Sequence, residues 1–143
     1  MSFFDIAEIS SSGMYAQRER MNIISENISN IDTINTTEGG PYKRKIAILS
    51  SGTSEYSFSG VFARIMDKPG VRVSDVTTAK NPFKKIYDPN NPYANKDGYL
   101  DVPDINIIQE MLDMMSASRA YEANVQAFNN AKTIALKALS IGK

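Results

Sequence analysis

The chain has 143 residues, enough for one compact domain that removes roughly 70% of the unfolded chain's surface from water. Sixteen Lys and Arg balance sixteen Asp and Glu, so the net charge of zero gives no reason to expect nucleic acid or an acidic membrane as the main partner. His and Cys are absent, which removes the usual neutral-pH general base, the thiolate nucleophile and zinc or iron sites built on those residues.

The sequence also lacks the common signals for export and membrane insertion. Met1–Asp5 carries no basic residue, and charged residues interrupt the apolar run before it reaches the length of a signal-peptide core. No stretch approaches the roughly 20 apolar residues needed to cross a bilayer. We therefore expect no Sec-type leader and no direct membrane insertion, and a chain without Cys is compatible with an oxidising compartment.

Proline and glycine divide the sequence unevenly, which predicts an α+β fold. All six prolines lie between Pro41 and Pro103, whereas residues 1–38 hold only Gly13 and residues 104–141 hold neither type. The long helices at the two ends are expected to pack as a coiled-coil-like pair or as the wall of a tube. The expected regions are an N-terminal helix with its turn over 1–38, a β-rich insert over 39–103 and a C-terminal helix over 104–143.

The first region has the spacing of a long helix with one narrow apolar seam. Mostly apolar residues recur at alternating intervals of four and three, as at the a and d positions of a coiled coil. The predicted helix is roughly 40 Å long, with Ser2 as its N-cap and turn-forming residues from Asn30 to Pro41 at its end. The seam residues are Phe3, Ala7, Ser10, Met14, Gln17, Met21, Ile24, Ile28 and Ile31.

The central region combines short β-type segments with polar turns. The predicted strands are Tyr42–Leu49, Val61–Met66 and Val71–Val73. The small polar residues 50–60 predict a mobile loop, and residues 81–103, which hold four prolines, predict an extended connection. Asp97 and Gly98 fit a tight turn before the segment Tyr99–Val102.

The last region predicts a second helix of about 36 residues and roughly 54 Å. Asn106 and Gln109 supply capping, Glu110 in the first turn suits the helix dipole, and Gly142 marks the end. Because this helix is longer than a compact domain of this size is wide, part of its apolar surface needs neighbours from other chains. Its seam residues are Ile107, Met111, Met114, Ser118, Tyr121, Val125, Phe128, Lys132, Ala135 and Leu139.

The two seams together predict an assembly interface. Asn27 and Asn30 are either plain surface amides or polar groups that fix the register of a coiled coil, and both interpretations stay open. Met111, Met114 and Met115 form either an adaptable binding surface or a packed face, and their helical spacing favours the packed face or a helix interface. The predicted interface residues are Phe3, Met14, Met21, Ile24, Asn27, Ile28, Asn30, Ile31, Ile107, Met111, Met114, Ser118, Tyr121, Val125, Phe128 and Leu139.

No motif predicts catalysis, a cofactor or a metal. Oxygen-bearing side chains of the kind that calcium prefers do cluster late in the insert, but Pro89 and Pro92 interrupt the spacing of a calcium loop, so turn residues are the preferred interpretation. The runs Lys43–Lys45 and Lys84–Lys85 fit solvated strand faces better than a phosphate site. Phosphate-binding loops and nucleophile elbows are absent. The clustered residues are Asp88, Asn90, Asn91, Asn95, Asp97, Asp101 and Asp104.

Both ends of the sequence are similar to a known family. Residues 9–30, which begin Ile-Ser-Ser-Ser-Gly-Met-Tyr-Ala-Gln-Arg, resemble the N-terminal helix shared by bacterial flagellar rod and hook proteins. The resemblance covers 1–49 and 80–143, and Glu26 departs from the amide expected beside Asn27. Segments that resemble the proximal rod proteins of that family are Pro41–Lys45, Tyr87–Pro92, Gly98–Tyr99, Pro103–Asn106 and Met115–Val125.

The resemblance implies a structural subunit of the proximal rod of the flagellar basal body, the shaft that crosses the periplasm and carries torque from motor to hook. It implies export by the flagellar type III apparatus and no catalysis. The implied partners are copies of the chain, other rod proteins, the hook-basal-body adaptor protein and the membrane-anchored MS ring at the rod base. One alternative is another secreted filament or needle-type subunit, which would lack the Tyr87–Pro89 and Ser116–Tyr121 segments. An enzyme with an unrecognised carboxylate or serine site is the other, and no acid–base constellation supports it.

Overall fold

The computed structural model describes residues 3–37, 39–51 and 70–141, and it has the predicted α+β architecture. Two long helices flank a small central insert made of two antiparallel strand pairs. The elements in chain order are α1 (Phe3–Ser29), β1 (Lys45–Ser51), β2 (Val71–Thr78), β3 (Phe83–Tyr87), β4 (Tyr99–Pro103) and α2 (Ile107–Ile141).

The end of α1 and the start of α2 lie close to the predicted positions. The backbone N–H of Ile108 donates to Asn106 Oδ1 at 3.0 Å, which is the expected N-cap bond of α2. At the end of α1, Asn30 Nδ2 donates to the backbone oxygen of Glu26 at 2.9 Å and closes the last turn. With 27 and 35 residues, α1 and α2 are about 40 and 53 Å long. The predicted cap Ser2 and the terminator Gly142 lie outside the described residues.

The two helices pack antiparallel through small side chains. Gly13 of α1 faces Asn124 of α2, and a Cβ at Gly13 would lie only 2.8 Å from Asn124 Nδ2. Nearer the middle of the pair, Ala16 and Ala117 are fully buried, so the helix backbones approach closely. Asn27 lies fourteen residues after Gly13 on α1, and its partner Glu110 lies fourteen residues before Asn124 on α2. The register of the two helices is therefore constant over this interval.

β1 and β2 pair antiparallel, with Lys45 opposite Thr78 and Ser51 opposite Val71. A bulge interrupts the register between Ile48 and Leu49. The strand predicted at Tyr42–Leu49 starts at Lys45 in the structure, three residues after its predicted start. The strand predicted at Val71–Val73 extends to Thr78. Residues 50 and 51 of the predicted mobile loop belong to β1, because their pairing with β2 continues past the apolar residues. The rest of that loop and the predicted strand Val61–Met66 lie outside the described residues.

The β1–β2 pair lies along α1 and is fixed to it at two points. At one end the Asn27 side chain bonds the backbone N–H and C=O of Lys45, both at 2.9 Å. At the other end the N–H of Val71 donates to Ser12 Oγ at 3.1 Å, while that hydroxyl donates to the oxygen of Ile9. Fifteen helical residues span about 22 Å, and a strand of seven residues spans about 23 Å. The strand pair therefore matches the helix interval between its two attachments.

Residues 81–103, expected as an extended connection, contain two paired strands, and this corrects the prediction. Phe83 lies opposite Pro103 and Tyr87 lies opposite Tyr99, with residues 88–98 as the turn. The prolines permit this because they stand beside the strands or in the turn, and Pro103 occupies the last strand position. The predicted turn before Tyr99 is present.

The apolar core is small and is made mostly of residues from the helix pair and the base of β4. It contains few large side chains, which fits a chain whose helices extend beyond any compact body. Among the described residues, the buried apolar ones are Ala16, Ile24, Tyr42, Leu100, Pro103, Ile105, Ala117 and Ala131.

Candidate functional site

A buried polar cluster lies where the end of α1, the start of β1 and the start of α2 meet. We call it the polar node and define it as Asn27, Tyr42, Arg44, Glu110 and the backbone of Lys45. Asn27 and Glu110 are each 1% exposed. Asn27 Oδ1 accepts from the Tyr42 hydroxyl at 3.0 Å and from the Lys45 N–H at 2.9 Å. Its Nδ2 donates to the Lys45 oxygen and to Glu110 Oε2, so every hydrogen-bonding position of this amide is used.

Glu110 is a charged side chain that the protein compensates internally. Its Oε1 accepts from Arg44 Nε at 2.7 Å and lies 2.6 Å from Arg44 Nη2, while its Oε2 accepts from Asn27 Nδ2 at 3.2 Å. A buried ion pair of this kind gains little over an apolar pair, but removing one partner is costly because the other charge stays buried. The burial of Glu110 in α2 therefore depends on Arg44, the residue that precedes β1.

Tyr42 is held in its protonated form by the same surroundings. Burial, and next the negative charge of Glu26, raise the pKa of Tyr42 to about 12 from an unfolded value of 10.0. A raised phenol pKa favours the protonated folded chain. The resulting contribution to stability is complete below pH 10.0 and is lost as the pH rises towards about 12.

We expect a spectrophotometric titration of the tyrosines to include the Tyr42 phenol as a late step near pH 12. Tyr42→Phe should remove this late step, because the other described tyrosines are at least partly exposed. Tyr15→Phe is the matched control, since Tyr15 is an exposed residue of α1, and it should leave the late step in place. A late step that persists in Tyr42→Phe would contradict the assignment.

Asn27 and Asn30 turn out to have different roles. Asn27 is a buried member of the node, whereas Asn30 is half-buried and bonds locally to Glu26 and Thr33. Asn30 is thus a helix-end residue. Of the two interpretations that the sequence left open, a plain surface amide does not describe Asn27.

The face of α2 that α1 covers lies beside the predicted seam. Glu110, Ala117 and Ala131 are buried there, while the predicted Ile107 and Met111 face outward. Ile24 and Asn27 are buried within the chain itself, and the side chain of Phe3 lies outside the described residues. Leu139 is exposed. The half-buried members of the predicted interface are Met14, Met21, Ile28, Asn30, Ile31, Met114, Ser118, Tyr121, Val125 and Phe128.

The exposed large apolar residues of α2 lie near its two ends, and the exposed residues between them are mostly polar. We define the front patch as Ile107, Ile108, Met111, Leu112 and Met115, which are 45% to 68% exposed. We define the end patch as Ile134, Leu136, Leu139 and Ile141, which are 58% to 86% exposed. Exposed residues between the patches include Arg119, Glu122 and Gln126. Groups of exposed large apolar residues on a helix mark a contact surface for another protein.

Sequence reasoning missed most of the polar node. It noted Asn27, but it treated Arg44 as part of a solvated basic run and Glu110 as a first-turn residue. The one available signal was Glu110 itself, an acidic residue among apolar ones on α2. Acidic side chains are rarely buried unless they are paired. The Arg44 partner is 66 residues away in sequence and could not be assigned from spacing.

Five of the seven clustered oxygen-bearing residues lie in the turn between β3 and β4, whereas Asp101 lies in β4 and Asp104 follows that strand. Asn91 Oδ1 accepts from the N–H of Tyr93, and Asn95 Oδ1 accepts from the N–H groups of Asp97 and Tyr99. Among the residues that the structure describes, no group of three or more His, Cys, Asp or Glu is placed to hold a metal ion. Within the same described part of the chain, neither helix has the length of apolar sequence that a membrane span requires.

Comparison with known proteins matches both helices. The family model described as "Flagella basal body rod protein" matches residues 8–35, and the one described as "Flagellar basal body rod FlgEFG protein C-terminal" matches residues 96–141. The first covers most of α1, and the second covers β4 and α2.

Relatives match over the full length of the chain. Flagellar basal-body rod protein FlgC of Borreliella burgdorferi is 39% identical, with 99% of this chain and 98% of the relative covered. FlgC of Bacillus subtilis is 39% identical and FlgC of Escherichia coli O6:H1 is 34% identical, each with both chains covered completely. This chain therefore belongs to the FlgC family of flagellar basal-body rod proteins, a family of structural proteins.

Proposed function

We propose that this chain is a structural subunit of the proximal rod of the flagellar basal body and performs no catalysis. The observation that carries the proposal is the uncovered apolar surface at both ends of α2, in a chain whose full-length relatives are rod proteins. Neither patch is covered by the described part of the chain, so each needs a neighbouring subunit to leave water.

The proposed neighbours are copies of this chain and other flagellar rod proteins. At the ends of the rod layer we propose contacts with the hook-basal-body adaptor protein and with the membrane-anchored MS ring, and before assembly with the flagellar type III export apparatus. The proposed location is the rod in the periplasmic space. The proposed contact residues are the members of the predicted seams that are exposed or half-buried, together with the front and end patches.

Long helices packed side by side suit the transmission of torque. Rotation of one subunit against the next would slide many interlocked side chains at once, so the resistance to twisting is distributed along the helix length. The β1–β2 pair is attached to α1 at Asn27 and Ser12, and it widens the subunit beside the helix pair. We propose that this strand pair makes lateral or outward contacts within the rod wall.

A density map of isolated basal bodies tests the location. We expect the chain in the proximal rod, and we expect it to disappear from the exported fraction when the flagellar export gate is deleted. A Sec-dependent periplasmic protein serves as the control and should be exported normally in the same cells. Density for the chain outside the rod, or export that persists through Sec, would contradict the proposal.

A further inference from the structure

Away from the polar node, the contact between α1 and α2 has few large buried side chains that would fix its axial register. Apart from Ile24, one turn from Asn27, the buried apolar side chains along it are alanines, and Gly13 of α1 faces Asn124. Ala117 and Ala131 lie seven residues to either side of Asn124 on α2. A slip of one heptad in either direction would place an alanine against Gly13, which packing alone does not forbid.

A competing register also offers Glu110 another cation. Arg20 lies seven residues before Asn27 on α1, and it bonds Asp113 Oδ1 at 3.1 Å. A shift of α2 by one heptad towards the start of α1 would bring Glu110 level with Arg20. In the shifted register, small residues would still meet at the contact and Glu110 would still lie beside a cation. Neither packing nor charge attraction alone therefore excludes that register.

The node distinguishes these registers because its parts come from three segments. Asn27 binds both backbone polar atoms of Lys45, and this fixes the neighbouring Arg44 beside the end of α1. Glu110 meets the Arg44 guanidinium and the Asn27 amide together only when the first turn of α2 is level with Asn27. A shift of even one turn, about 5.4 Å, exceeds hydrogen-bond reach and separates the carboxylate from both partners.

We infer that the polar node sets the axial register of α1 against α2, with Asn27, Arg44 and Glu110 as positioning residues. The inference goes beyond the rod function and does not depend on it. In the observed register, Phe3 is level with Ile134, so the last two turns of α2 project beyond α1. The node thereby determines how much of the end patch is presented to neighbours.

Distances between two spin labels on the full chain test the inference. Ser25→Cys on α1 and Asn129→Cys on α2 place labels on exposed residues, and the chain has no Cys of its own. The labels are roughly 25 Å apart along the helix axis in the observed register, and a heptad slip towards the start of α1 adds about 10 Å. We expect one narrow distance distribution in the otherwise unchanged chain.

The test variant is Glu110→Met with Arg44→Met, which replaces the ion pair by apolar side chains of similar length. We expect it to remain helical by circular dichroism and to gain a second population displaced by about 5 to 10 Å. The matched control is Arg20→Met with Asp113→Met, which removes an ion pair that joins α1 directly to α2 and should keep a single distribution.

Four results would overturn the inference. One is a single unchanged distance in the Glu110→Met, Arg44→Met chain, and another is loss of helix in that chain, since the pair would then hold the fold rather than its register. The third is two populations in the control variant. The last is a broad distribution in the labelled chain that keeps the node, because no defined register would then exist to be set.

Discussion

Arg44→Met is expected to lower the free energy of unfolding by about 3 to 5 kcal/mol, the usual cost of breaking a buried ion pair. Glu110 is 1% exposed, and its carboxylate contacts Nε and Nη2 of the Arg44 guanidinium. The variant removes both contacts and leaves the carboxylate buried. Of the donors that the described residues supply to this carboxylate, the Asn27 amide would remain. Urea denaturation of the isolated chain, followed by circular dichroism, measures the change.

Lys45→Met is the matched control for this variant. Lys45 is the next residue, and its ammonium pairs with Glu26 where both side chains are well exposed. A pair of this kind contributes about 0 to 1 kcal/mol, so the control should unfold nearly as the unaltered chain does. Equal losses in Arg44→Met and Lys45→Met would show that burial of Glu110 does not decide the stability of this region.

Leu112→Asp is expected to abolish swimming while it changes the free energy of unfolding by less than about 0.5 kcal/mol. Leu112 is 56% exposed in the front patch, so the isolated chain keeps the new carboxylate in water. In an assembled rod the same carboxylate would be buried against a neighbour without a partner. Soft-agar motility and counts of completed rods in cells that make only this variant measure the effect.

Gln126→Asp controls for the added charge. Gln126 is an exposed residue in the polar middle of the same helix, and the variant should swim normally. Leu112 is a cleaner probe than the predicted interface residue Val125, since Val125 is half-buried within the chain and a charge there would disturb both the subunit and its contacts. Normal rods with Leu112→Asp would show that the front patch is not an assembly contact.

Local sequence signals were sufficient for the helices. Asn106 predicted the start of α2 because a cap depends on neighbours within three residues, and the chain supplies them. The pairing of β3 with β4 was missed, since proline content dominated the expectation. The positions of Pro89 and Pro92 within a turn between two strands became evident only from the structure.

The predicted seam of α2 lies one helical position away from the face that α1 covers. Apolar size favoured Ile107 and Met111, yet the residues that α1 covers include Ala117 and Glu110. Close approach at Gly13 selects short side chains for the contact, and the larger ones are left outside. The polar node escaped prediction for a related reason, because its bonds join residues that lie 15 to 83 positions apart in sequence.

The connection between β1 and β2 starts and ends at neighbouring residues of the strand pair. Ser51 and Val71 lie opposite each other, and Val71 is held by Ser12, so the chain leaves and re-enters the strand pair at one anchored place. A connection between two fixed neighbours can grow or shrink cheaply, at about 0.6 kcal/mol for each doubling of its length. We therefore expect a change in the length of the connection between Ser51 and Val71, such as an inserted epitope, to leave both helices in place.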